Sequence, residues 1–124
     1  MKANDTKINI MLASRPKMLS EVIKSMIGHQ IDMEVVGEVL DPIELFAAVK
    51  LLPVDVIIIT PLNTKGEPRI CTRLLEEHPL LKIIVLSAKS ETCFLYQLDA
   101  PTIRINEPTE QIILEAIRKS MQSK

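Results

Sequence analysis

The chain has 124 residues, 47% of them apolar and 25% charged, with a formal net charge of -1 at neutral pH. That is the size of one compact domain, able to bury roughly two-thirds of its unfolded surface in a single core, with no room for a second. A balance so close to neutral provides no large basic field for nucleic acid, and the longest apolar runs fall far short of the ~20 residues that span a bilayer.

The expectation is therefore a single domain over residues 1–124 with its core in about 7–121, and short frayed ends. Met1 to Lys7 is polar and does not read as a signal peptide, so the cytoplasm is the expected compartment. Neither membrane contact nor direct nucleic-acid binding by this chain is expected. Cys71 and Cys93 stand far apart without a CxxC motif or a His cluster, which reads as two reduced thiols, with no metal and no cofactor. One tyrosine and two phenylalanines are little material for stacking bases.

Along the chain, Lys7 to Leu12 is the first strand by its β-branched and apolar content. Leu19, Val22, Ile23, Met26 and Ile27 then recur at helical spacing, and Met33 to Val39 is the second strand. Asp41 followed by Pro42 is an N-cap with proline at the first helical position, ahead of Leu45, Phe46, Val49 and Leu52. Asp55 to Thr60 is a near-continuous apolar third strand. The third helix carries Ile70, Leu74 and Leu75 and stops before Pro79, and Lys82 to Ser87 is the fourth strand. A short fourth helix is expected over Ser90 to Leu98, a fifth strand over Thr102 to Asn106, and a last helix from Thr109 that buries Ile112, Ile113, Ala116 and Ile117.

Strands and helices alternating in this way require a parallel sheet covered on both faces through right-handed crossovers. The expected fold class is α/β: a three-layer, flavodoxin-like (βα)5 doubly wound sheet in the order 2-1-3-4-5. In such sheets ligands gather beyond the carboxyl ends of the strands, near the switch point between the first and third. The residues expected there are Ala13, Ser14 and Arg15, then Thr60 and Pro61, then Ser87 and Ala88, and finally Asn106, Glu107 and Pro108.

Four stretches, "INIMLASRPKML", "MEVVGEVLDPIELFAAVKLLPVDVIIIT", "EEHPLLKIIVLSA" and "INEPTEQIILEAIRK", resemble the receiver domains of bacterial response regulators, of the type that precedes LuxR-family DNA-binding domains. In that family two acids after the first strand hold Mg²⁺, an aspartate ending the third accepts a phosphoryl group, and a lysine ends the fifth. Here Ala13 and Ser14 stand in place of the acids, Thr60 in place of the acceptor, and Asn106 in place of the lysine. If Pro108 anchors the alignment, Glu107 takes that last place. Ile103 replaces the aromatic residue that the family rotates on phosphorylation.

The chemistry agrees with the substitutions. Mg²⁺ dehydrates reluctantly and is held by carboxylates and phosphate oxygens, so a cluster of Ser, Thr and Asn beside Arg15 does not suit it. A threonine hydroxyl with no adjacent base is a weak nucleophile. The resemblance therefore implies a degenerate pseudo-receiver that is not an enzyme. It would act through protein contacts without phosphorylation, as the regulatory domain of a two-component-type transcription regulator or as a stand-alone adaptor.

The partner would be another protein or a second copy. The family's face of helix four, strand five and helix five points to Phe94, Leu95, Tyr96, Ile103, Leu114 and Arg118. "TCFLYQL" is apolar for so short a helix: either it presents a docking patch, or it tips inward to fill a gap. A second function class is a sensor of anions or small ligands, with Arg15 as the anion contact beside the start of the first helix. His29 and His78 read as surface residues, Asp41 as a cap, and Asp55 as an acid at the end of its strand away from the site. The Glu107-Pro108 bond is a candidate cis peptide.

Overall fold

The computed structural model describes residues 7–14, 17–39, 44–60, 68–86, 92–98 and 101–122. Ten elements follow in chain order: β1 (Ile8–Ser14), α1 (Lys17–Gly28), β2 (Met33–Val39), α2 (Leu45–Leu51), β3 (Val56–Thr60), α3 (Pro68–Glu77), β4 (Lys82–Leu86), β5 (Thr92–Tyr96), β6 (Ile103–Asn106) and α4 (Glu110–Gln122). The six strands form one sheet in the order β2-β1-β3-β4-β5-β6.

The first four strands are parallel, as their apolar runs require, and Val56 to Thr60 is buried along its whole length. The second half of the sheet differs from the expectation. Thr92 to Tyr96 is a strand, not part of a helix, and it pairs antiparallel with both β4 and β6. The physical reason is in its side chains: Thr, Cys, Phe and Tyr favour strands, and Cys93 and Leu95 turn to one face while Phe94 and Tyr96 turn to the other. The described sheet is thus mixed and six-stranded with four helices, where five parallel strands and five helices were expected.

Two apolar clusters fill the layers on either side of the sheet. On one face Ile10, Leu12, Val56, Ile58, Ile84, Cys93 and Leu95 pack under Ile23, Met26 and Ile27 of α1 and Ile113, Leu114 and Ile117 of α4. On the other, Met11, Ala13, Ile57, Ile59, Ile83 and Val85 pack under Leu45 of α2 and Cys71, Leu74 and Leu75 of α3. The two free thiols therefore lie on opposite faces of the sheet and are both buried. Three side chains expected on buried stripes are partly open to solvent: Val22 is 53% exposed, and Leu52 and Ile112 are 38% exposed each.

Local contacts fix the register. The Asn9 amide donates to Asp55 Oδ2 at 2.8 Å while the Asp55 amide donates to the Asn9 carbonyl at 2.8 Å, and the Lys82 amide donates to the Asp55 carbonyl at 3.1 Å. Asp55 thus ties the entry ends of β1, β3 and β4 together. Pairing of β1 with β2 slips between Ile10 and Met11, which sets Gly37 opposite Met11. A Cβ at Gly37 would lie 3.0 Å from Met11 Cε and 3.1 Å from Leu52 Cδ1, so a larger residue there fits only if these side chains shift. Thr109 caps α4: its Oγ1 accepts the Ile112 amide at 3.2 Å and its carbonyl accepts the Ile113 amide at 3.0 Å. The Asp41 cap lies outside the described residues, and α2 is described from Leu45.

Candidate functional site

β1 and β3 run side by side to the carboxyl edge of the sheet, where Ala13 pairs with Ile59 and Ser14 with Thr60. Ala13 and Thr60 are each 1% exposed. Ala13 belongs to the apolar cluster beneath α2 and α3, so the end of β1 presents a methyl group packed in hydrocarbon. A hydroxyl at the end of β3 and a methyl at the end of β1 offer a divalent cation no charge. Arg15, Pro61, Ser87 and Ala88 lie outside the described residues, and Ser14 is described by its backbone alone.

Asn106 and Glu107 do not join Ala13 and Thr60. β6 is three strands from β3, about 14 Å at ordinary strand spacing, because β5 stands between β4 and β6. The side chain of Asn106 is exposed, and its Oδ1 accepts a hydrogen bond from Arg104 Nε at 3.2 Å. Glu107 is exposed and adopts φ 49°, a left-handed backbone uncommon for a residue with a side chain. None of the described peptide bonds is cis, so the Glu107-Pro108 bond is trans. The six-residue pocket expected from the sequence is therefore divided, with Ala13 and Thr60 at one place and Asn106 and Glu107 at another.

The expected partner surface is divided as well. Leu95 and Leu114 are 4% and 6% exposed and belong to the core. Phe94 and Tyr96 lie on the face of α2 and α3, half-buried, with ring centroids 6.3 Å apart and the Arg104 guanidinium 5.9 Å from the Phe94 centroid. "TCFLYQL" accordingly neither forms one helical patch nor tips inward as a helix; the strand sends its side chains alternately to both faces. Burial raises the Tyr96 hydroxyl pKa, with Cys71 adding to the effect, and burial pushes the Cys93 thiol up to about 11.

Arg118 is already engaged. Its Nε donates to Asp32 Oδ2 at 2.8 Å, and its Nη2 donates to Asp32 Oδ1 at 3.0 Å and to Gln30 Oε1 at 2.7 Å. This fork holds the Asp32 carboxyl below the usual carboxylate range and anchors α4 to the turn before β2. Ile103 remains open, 46% exposed at the sheet edge. At the other end of the sheet His78 is half-buried, and its Nε2 is buried with no hydrogen-bond partner among the described residues.

Sequence reasoning did not find a groove of about 260 Å³ between the β5–β6 edge and α4. Leu95 and Ile105 form its floor, Ile103 and Ile112 its walls, and Glu115 and Lys119 its rim. The signal existed in the spacing of Ile112, Ala116 and Lys119 on α4, but locating the opposite wall required knowing that Thr92 to Tyr96 is a strand.

No family model matches the sequence, and no protein of curated function does. Solved structures do. A response regulator from Thermotoga maritima is 18% identical, with 94% of this chain covering 99% of that one at a TM-score of 0.69. The RcsB response regulator of Salmonella typhimurium, studied for its conformational dynamism in DNA interaction, is 24% identical over 66% of this chain at a TM-score of 0.55. RcsB in complex with DNA is 25% identical over 65% of this chain, at a TM-score of 0.54. The matches span only 43% and 42% of those two RcsB chains. This chain has a receiver-like fold, similar to that of response regulators, and its described sheet includes one strand antiparallel to both neighbours.

Proposed function

We propose that this protein is a pseudo-receiver: a two-component-type signalling module that acts through protein contacts without being phosphorylated. The observation that carries the reading is the pairing of Ala13 and Ser14 with Ile59 and Thr60 at the carboxyl edge, where no residue of β1 or β3 supplies a carboxylate. Transfer of a phosphoryl group needs a nucleophile and a cation to neutralise the developing charge. The Ala13 methyl group holds no cation, and the Thr60 hydroxyl is at best a weak nucleophile.

The separation of Asn106 and Glu107 from Thr60 supports the same reading, because a side chain on β6 has one strand more to cross than the expected sheet allows. Retention of a receiver-like fold around such a pocket favours a module kept for its surface. A regulatory half of a DNA-binding regulator, for which the RcsB complex with DNA is the model, and a stand-alone adaptor are both forms of this reading. We place it in the cytoplasm, where soluble signalling partners are met, and assign it no catalysis.

The test is an amide NMR titration of the full chain with Mg²⁺ and then beryllofluoride, a mimic of an acyl phosphate. The expected result is no saturable shift at Ala13, Ile59 or Thr60. Saturable shifts there would show a working phosphorylation site and overturn the proposal.

A further inference from the structure

Among the described residues the three most exposed large apolar side chains are Ile31 at 91%, Leu80 at 85% and Leu51 at 81%, and all stand at the amino end of the parallel strands. Ile31 lies on the turn before β2, Leu51 closes α2 ahead of β3, and Leu80 lies on the turn before β4. β2 and β4 are three strand spacings apart, about 14 Å, so the three side chains fall within reach of one bound segment. Between the entries of β3 and β4 runs a groove of about 430 Å³. Pro53, Val54, Pro79 and Leu80 supply its apolar walls, Asp55 and Glu77 supply carboxylates, and His78 supplies the ring whose Nε2 lacks a partner.

We propose that this end of the sheet docks a segment of another protein in which an apolar anchor stands beside arginine or lysine. Exposed apolar side chains gathered at one place mark a contact site, and the charge of the groove names the partner. Glu77 is the last residue of α3 and follows Glu76, and the last turn carries no basic residue. The carbonyl groups that end a helix carry negative partial charge, so two carboxylates there add to it instead of opposing it. Asp55 lines the same groove, held in place by its bonds to the Asn9 and Lys82 amides. Neither Asp55 nor Glu77 makes an ion pair among the described residues, and Lys82 donates instead to the Leu80 carbonyl at 3.3 Å. The groove is thus apolar with uncompensated negative charge, and the charge it lacks is positive. A second copy meeting this surface about a two-fold axis would bring the same acids face to face, which favours a different protein.

This inference rests on the contact-module reading and gives its partner a chemistry. The test selects peptides from a random dodecapeptide display library on the immobilised full chain, then measures their affinity and amide NMR shifts on the wild type and on the Glu77→Lys and Leu80→Ser variants. Enriched peptides are expected to combine leucine, isoleucine or phenylalanine with arginine or lysine, to shift Val54, Asp55, His78 and Leu81, and to bind more weakly as salt is raised. Each variant is expected to weaken binding about tenfold or more. Both positions are exposed, and urea midpoints no lower than that of the wild type confirm that the variants fold. No enrichment, enriched peptides without basic residues, shifts confined to another face, or affinities indifferent to either variant overturn the inference. A wild-type dimer that Leu80→Ser dissociates assigns the surface to a second copy and overturns it as well. If the peptides fail while the beryllofluoride titration stays silent, the docking surface alone is wrong; a positive titration removes the pseudo-receiver reading whatever the peptides do.

Discussion

Replacing Leu95 with alanine tests the strand that sequence reasoning missed. Leu95 is 4% exposed and lies in the cluster beneath α1 and α4. Leu-to-Ala changes in closed cores cost about 2–5 kcal/mol, with the spread set by how far the site can relax. Leu95 floors an open groove, so the lower part of that range applies, about 2–3 kcal/mol. At about 2.1 cal/mol/K of unfolding entropy per residue, 124 residues convert that loss to a fall in Tm of roughly 8–12 °C. The Thr102→Ala control, exposed just before β6, is expected to stay within about 0.5 kcal/mol. Urea unfolding followed by circular dichroism reads both, and the midpoint shift counts only if the slope is unchanged. A loss below about 1 kcal/mol for Leu95→Ala would refute the inward placement of Leu95, and with it the pairing of β5 between β4 and β6.

Two further substitutions test the packing and the charge pair. Gly37→Ala pushes a methyl group to 3.0 Å from Met11 Cε, and overpacking of this kind costs about 1–3 kcal/mol; a urea midpoint equal to that of the wild type would show that Met11 and Leu52 make room freely. Asp32→Asn reports on the Arg118 fork. The folded carboxyl pKa lies below its unfolded value near ~3.9, so the unfolded state binds more protons in that window, and the contribution is complete above it and lost as pH falls through the folded value. Because the Asp32 and Arg118 side chains are 43% and 33% exposed, screening limits the effect to about 0.5–1 kcal/mol. Urea midpoints of wild type and variant should differ by a constant amount above about pH 5 and converge below the carboxylate range. A gap that persists undiminished in acid would mean that charge plays no part in the contact.

The parallel half of the molecule was legible because its inner strands have neighbours on both sides and read as apolar runs, as Val56 to Ile59 does. Thr109 was legible as a helix start because a cap is a local interaction. β5 was not, since both of its faces carry apolar side chains: Cys93 and Leu95 alternate with Phe94 and Tyr96, and no polar residue marks the period of two. Only long-range pairing chooses between helix and strand for such a run. That one error moved β6 outward by a strand, which separates Asn106 and Glu107 from Thr60 and divides the expected partner surface between two faces. The Arg118–Asp32 contact joins residues 86 apart in sequence, and no local pattern announces it.

The antiparallel meander also changes how far apart in the chain its contacts are. The β4–β5 pair Leu86 and Cys93 closes a loop of seven residues (93 minus 86), whereas the parallel pair Val56 and Lys82 closes one of 26 (82 minus 56). Non-local pairing is what slows the folding of β-rich chains, because loop-closure entropy is lost before contacts repay it. The β4-β5-β6 end of the sheet therefore supplies short-range pairings that the β2-β1-β3-β4 end lacks. In a chain whose other strands wait on helical crossovers, this meander is the part of the sheet that can form first.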